Sequence, residues 1–140
     1  MSLVASFQAR LSAAGSLFRQ VAGSYEFANL DKKAKASPAA FVMVREDASG
    51  DNERLNGPVF QRVETDVAVL IRVTSLAGNA GAVTDIETLK AHARGRLLGF
   101  VPDGCDEPVT HISGALVKAS GGEVWWEDVF SAPQYIEEQA

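Results

Sequence analysis

The chain holds 140 residues, 46% apolar, 22% charged and 8% aromatic, an ordinary globular balance that makes a single domain over 1–140 the expectation and leaves no room for two. Thirteen Lys and Arg against eighteen Asp and Glu give a net charge of −5, without the basic surplus that drives counterion release, so no nucleic-acid recognition is expected. The lone cysteine, Cys105, excludes an intrachain disulfide, and no run approaches the ~20 apolar residues of a membrane helix.

A chain of this length buries roughly 68–70% of its unfolded surface, so its core needs no metal and no disulfide. Met1-Ser2-Leu3-Val4 lacks the basic start of a secretory signal, and synthesis in the cytoplasm is expected. Residues 1–119 hold thirteen acids and thirteen bases, whereas 120–140 hold five acids and no base. The acidic surplus therefore sits at the C-terminal end.

Leu3, Phe7, Leu11 and Ala14 recur at helical spacing behind Ser2, a residue type that caps helices by accepting from a first-turn amide. A helix over 3–14 follows, closed by Gly15, and Leu17 to Val21 alternates as a short strand. Asp31-Lys32-Lys33-Ala34-Lys35 reads as a solvated connector. Phe41-Val42-Met43-Val44 is a central, two-sided strand ending at Arg45. Glu46 to Pro58 then has no periodicity and most turn-favouring residue types, a loop long enough to carry function.

From Val59 to Val73, the valines at 59, 63, 67, 69 and 73 share one parity with Ile71, and Arg62, Glu64, Asp66 and Arg72 take the other. This predicts a long strand with one wet face. At ~3.3 Å per residue it outruns an ordinary sheet, so a bend, a bulge or a projecting hairpin is expected. Thr84-Asp85-Ile86-Glu87 has capping-box spacing and opens a helix. Its buried stripe is Ile86, Leu89, Ala93, Leu97 and Phe100, its wet side Glu87, Lys90 and Arg94, and its stop Gly99. Val109–Val117 and Glu123–Phe130 flank Gly121-Gly122 as a hairpin. The order α-β-β-β-α-β-β predicts an α+β domain, a mainly antiparallel sheet of about five strands packed with two helices.

No phosphate loop, dinucleotide turn, zincin motif or nucleophile elbow occurs. Cys105 with His92 or His111 is the one conceivable nucleophile pair, and nothing local supports it against a plain surface cysteine. Asp103, Cys105, Asp106, Glu107 and His111 fit no zinc or calcium spacing. Glu64 and Asp66 share a strand face, but between Arg62 and Arg72 they read as charge pairing. Trp125 and Trp126 point to opposite faces, so Trp126 should enter the core with Val124 and Phe130 while Trp125 meets a helix or a partner. The loop supplies the other contact candidates, and the expected partner-binding set is Glu46, Asp47, Asp51, Glu53, Arg54, Leu55 and Trp125. With four acids, one base and one large aliphatic residue, the loop is expected to be mobile until a neighbour orders it; the alternative is a tolerated solvent loop.

Five pieces in order, Ser37-Pro38-Ala39-Ala40-Phe41-Val42, Val59-x-Gln61-Arg62-Val63, Leu98-Gly99-Phe100-x-Pro102, Gly114-Ala115-Leu116 and Val124-Trp125-Trp126-Glu127-Asp128-x-Phe130, resemble the tail terminator family of long-tailed bacteriophages and prophages. Phe100 stands where that pattern has tryptophan. The resemblance implies a non-enzymatic α+β subunit of the virion tail, assembled in the host cytoplasm without a cofactor. It further implies a ring of copies, typically a hexamer, that caps the tail tube protein, stops elongation and receives a head-completion or neck protein. Another neck or tail-completion protein is the competing reading, and a small enzyme or ligand-binding domain using Cys105, His92 and His111 is the third.

Overall fold

The computed structural model describes residues 1–29, 37–74 and 79–139, the side chains of 79–84 excepted. Its elements are α1 (Leu3–Ser12), β1 (Gln20–Ala22), α2 (Ser24–Ala28), β2 (Ala39–Ser49), β3 (Phe60–Thr74), α3 (Asn79–Leu97), β4 (Thr110–Ser120) and β5 (Glu123–Glu137). The five strands form one sheet in the order β1-β2-β3-β5-β4. All neighbours are antiparallel except β1 and β2, so the mainly antiparallel α+β sheet is as expected.

Alternation places one parity of β3 under α1 and α3. Val67, Val69, Ile71 and Val73 meet Phe7 and Leu11 of α1 and Leu89, Ala93 and Leu97 of α3, together with Phe130 from β5. Phe7 is the hub, edge-on to Phe100 at 5.5 Å and to Phe130 at 6.4 Å. Ser2 caps α1 as its residue type requires, its Oγ accepting from the Ala5 amide at 3.1 Å.

The opposite face carries a second cluster of Phe41, Leu70 and Trp125 that the short helix α2 covers through Phe27. The sequence pattern misses α2, because five residues cannot establish a helical period. Its first turn is held by the Glu26 carboxylate, which accepts from the Gly23 amide at 3.2 Å. The single wet face expected of β3 is therefore wet only over 62–66, and Ala68, Leu70 and Arg72 are buried.

Several boundaries move. The strand read over Leu17–Val21 shrinks to Gln20–Ala22, and the strand expected to stop at Arg45 continues to Ser49. Cross-strand partners explain the latter, since Glu46, Asp47, Ala48 and Ser49 pair with Asp66, Thr65, Glu64 and Val63. The irregularity expected of β3 lies instead in β2, where the register shifts between Val44 and Glu46. Helix α3 starts at Asn79 rather than Thr84; a glycine at position 81 costs about 1 kcal/mol against alanine and does not forbid a helix. β5 runs past Phe130 to Glu137. Pro133 is tolerated there because β4 has already ended, its Thr110 pairing with Ser131. The connector read at 31–35 lies outside the described residues.

Lys90 and Arg94, expected on the wet side of α3, turn toward the β4–β5 ladder. The Lys90 ammonium stands 3.7 Å from the centroid of Trp126, and Arg94 bonds Asp128 at 2.8 and 3.0 Å. Long side chains at a helix margin cover apolar surface with their stems while the charged ends find partners.

Candidate functional site

Past the last pair of β4, residues 45–49 of β2, 60–66 of β3 and 132–137 of β5 run on as a three-stranded arm, buried at its base around Val63, Thr65 and Ala132. Seven residues at ~3.3 Å each make it roughly 20 Å long. It is wider than the two-stranded projection the pattern of β3 suggests, because β5 accompanies β3 along its whole length, from Thr74↔Glu123 to Phe60↔Glu137.

The loop at its tip, residues 50–59, is folded on hydrogen bonds. Gly50 N–H donates to the Arg62 carbonyl and Glu53 N–H to the Phe60 carbonyl, both at 2.8 Å. The Asn52 side-chain oxygen accepts from the amides of Phe60 and Arg54 at 3.0 and 3.2 Å. The Arg54 guanidinium lies 4.8 Å from the Phe60 ring, donates to the Pro58 carbonyl and pairs with Glu137. Phe60 in turn stacks on Tyr135 at 5.0 Å. This corrects the reading of Glu46–Pro58 as aperiodic: its first four residues are strand, and a side-chain and backbone network closes the remainder.

Leu55 is fully exposed at the tip. Among the described residues no cation pairs with Glu46, Asp47, Asp51 or Glu53, although Asp47 accepts from the Thr65 hydroxyl at 2.6 Å. Farther down, Arg62 holds Glu107 through two bonds of 2.9 and 3.2 Å and also pairs with Glu64. Those bonds raise the Arg62 pKa and hold the Glu107 carboxyl below its ordinary range, with Arg62 the main cause. Asp66 is pushed the other way, by burial first and then by Glu46 opposite it and Glu64 beside it, against a lesser pull from Arg45. The arm thus concentrates uncompensated negative charge.

Of the partner-binding candidates, the structure brings Asp51, Glu53, Arg54 and Leu55 together at the tip and places Glu46 and Asp47 at the base of the arm. Trp125 stands apart. It is 9% exposed, stacked 5.9 Å from Phe41 with Phe27 edge-on at 5.8 Å, so its contact is the subunit's own helix. Trp126 keeps the parity expected of it and packs on the main cluster, but it is only partly buried.

Sequence reasoning located β4, read there as Val109–Val117, but missed that it is an exposed edge. All but one of its eleven residues are exposed, including Ile112, Leu116 and Val117. The alternation was legible, but edge position depends on sheet order, which local pattern does not encode.

Among the described residues neither histidine pairs with Cys105. Burial and then Asp106 push its thiol pKa up, away from a thiolate. His92 accepts from the Leu17 amide at 3.3 Å, and His111 lies against Phe130 and Asp128. Among the described residues no three His, Cys, Asp or Glu side chains converge as metal ligands, and no helix is long and apolar enough to cross a membrane.

Residues 3–139 match the family model described as phage tail terminator protein, nearly the whole chain. A search of curated proteins finds no match.

Proposed function

We propose that this chain, which belongs to the phage tail terminator family and is thus a structural component of the virion tail, assembles as a closed ring on the end of the tail tube. There it stops elongation and offers the surface on which a head-completion protein docks. The arm carries this reading. Its tip, with an exposed leucine and acids that have no cation, makes no contact within one subunit that uses them, and it suits contact with a neighbour or with the tube. The exposed edge β4 adds a second unsatisfied surface, unlike the first. Two unlike surfaces on one subunit make head-to-tail contacts, which close into a ring when the rotation permits. A hexamer is expected, on the resemblance to this family.

Electron microscopy of tails assembled with and without this chain tests the reading. Overlong tubes without heads in its absence, restored to normal length by adding it, are expected. Tubes of normal length that merely lack heads would assign the chain to the neck instead, and fully normal particles would overturn both.

A further inference from the structure

A groove of about 390 Å³ runs between α1 and the segment that follows α3, with Ser6 and Arg10 on one wall and Phe100, Val101, Pro102 and Asp103 on the other. That size lies within the range of ligand clefts, about 300–1,000 Å³. Two of its features lack a partner inside the subunit, and a third lacks a counter-charge. The Ser6 hydroxyl is buried with no hydrogen bond, on a residue 7% exposed. A serine inside a helix ordinarily bonds the carbonyl one turn back; this one does not. Val101 is half exposed on the opposite wall. Arg10 lies 5.3 Å from the Phe100 ring and donates through Nε to the Arg96 carbonyl, while Arg96 donates to the carbonyls of Arg10, Ala13 and Ala14. Among the described residues no carboxylate pairs with either arginine. The lining's one acid, Asp103, lies 3.9 Å from the Met1 amino group.

The tip of the arm is the complement of this groove. Leu55 is an apolar knob in full contact with solvent. Asp51 and Glu53 beside it are acids with no cation, and the nearby positive charge, Arg54, is already taken by Glu137. We propose that the groove between α1 and residues 98–103 receives the Asp51–Leu55 tip of a second copy of this chain. Leu55 packs between Phe100 and Val101, and a tip carboxylate meets the Arg10 guanidinium. Knob and groove lie on different parts of the chain, and no residue of 50–59 lines the groove of its own subunit. The contact is therefore head-to-tail. It rests on the capping role only in that it names one contact of the ring.

Two single variants in a Cys105→Ser background, Leu55→Cys and Val101→Cys, test it when mixed, concentrated or added to tail tubes, and oxidised mildly. Disulfide-linked dimers from the mixture and from neither variant alone are expected. Charge reversal gives an independent measurement: Arg10→Glu and the pair Asp51→Lys with Glu53→Lys should each weaken self-association at least tenfold. Mixing the two reversed proteins should restore self-association with one-to-one stoichiometry, an outcome that a misfolded variant cannot produce. No crosslink and no effect of reversal, in rings that still cap tubes to normal length, would overturn the contact and leave the capping role standing. Crosslinked dimers from a protein that leaves tubes overlong would overturn the capping role and leave the contact.

Discussion

Gly114 and Asp128 face each other across the β4–β5 ladder so closely that a Cβ on Gly114 would stand 2.6 Å from Asp128 Oδ1 and 2.8 Å from the Trp126 ring. The missing side chain is what lets the buried carboxylate collect its donors, Arg94 through two bonds and Trp126 Nε1 at 2.7 Å, with His111 Nε2 lying 3.3 Å away. Through them Asp128 ties α3 to both strands of the hairpin. Gly114→Ala should therefore cost about 1–3 kcal/mol, as overpacking does, read as a lower urea midpoint with unchanged slope.

Removing the carboxylate is expected to cost more. Asp128 is fully buried, and breaking a buried pair costs about 3–5 kcal/mol; Arg94 is one-third exposed and regains water, which places Asp128→Asn toward the lower end. The pH dependence follows from the direction of the shift. Burial pushes the carboxyl up, but the bonds from Arg94, Trp126 and His111 outweigh it, and the net pKa is lowered. A depressed acid stabilises the fold above its unfolded pKa of about 3.9, and that stabilisation is lost as pH falls through the folded value. Urea titrations of wild type and Asp128→Asn should diverge at neutral pH and converge in acid.

Asp66 predicts the opposite sign. Its pKa is raised by burial and by Glu46 and Glu64, so the native state binds the proton more tightly than the unfolded chain, and stability falls as pH rises from about 4. Asp66→Asn should raise the melting temperature at pH 7, with the gain vanishing below about pH 4. A variant less stable than wild type at pH 7 would contradict the reading of an uncompensated acidic face.

The tryptophans should differ. Trp125→Ala empties a buried aromatic cluster and is expected to cost about 3–5 kcal/mol. Trp126→Ala removes a partly buried ring, so its effect should be smaller, although it also frees Asp128 of one donor. Thermal melts of the two variants, read side by side, check the ranking.

The tip loop can be shortened without touching the ladder. Replacing residues 51–58 by Asn-Gly leaves seven residues between Ser49 and Val63, enough to keep every pair from Ser49↔Val63 downward. The shortened protein should stay folded by circular dichroism and fail to cap tubes. Normal capping would reduce the loop to a tolerated insertion.

Periodicity alone determined much of this protein. The valine parity of β3, the stripes of α1 and α3 and the Ser2 cap were legible because each depends on residues a few positions apart, and the order of elements apart from α2 followed from them, as did the opposite faces of Trp125 and Trp126. Five matched sequence pieces also pointed to the family that the whole-chain comparison supports. Only the tertiary structure decided the rest. Polar residues such as Glu46 to Ser49 carry no strand signal, and they became strand because β3 supplied partners for their amides. Lys90 and Arg94 read as solvated until the β4–β5 ladder came within reach of their stems. That β4 lies at an edge, that three strands rather than two form the arm, and that Ser6 and Arg10 line a groove with Val101 all depend on which distant segments pack together. No local pattern specifies that, because burial and pairing are properties of the assembled sheet.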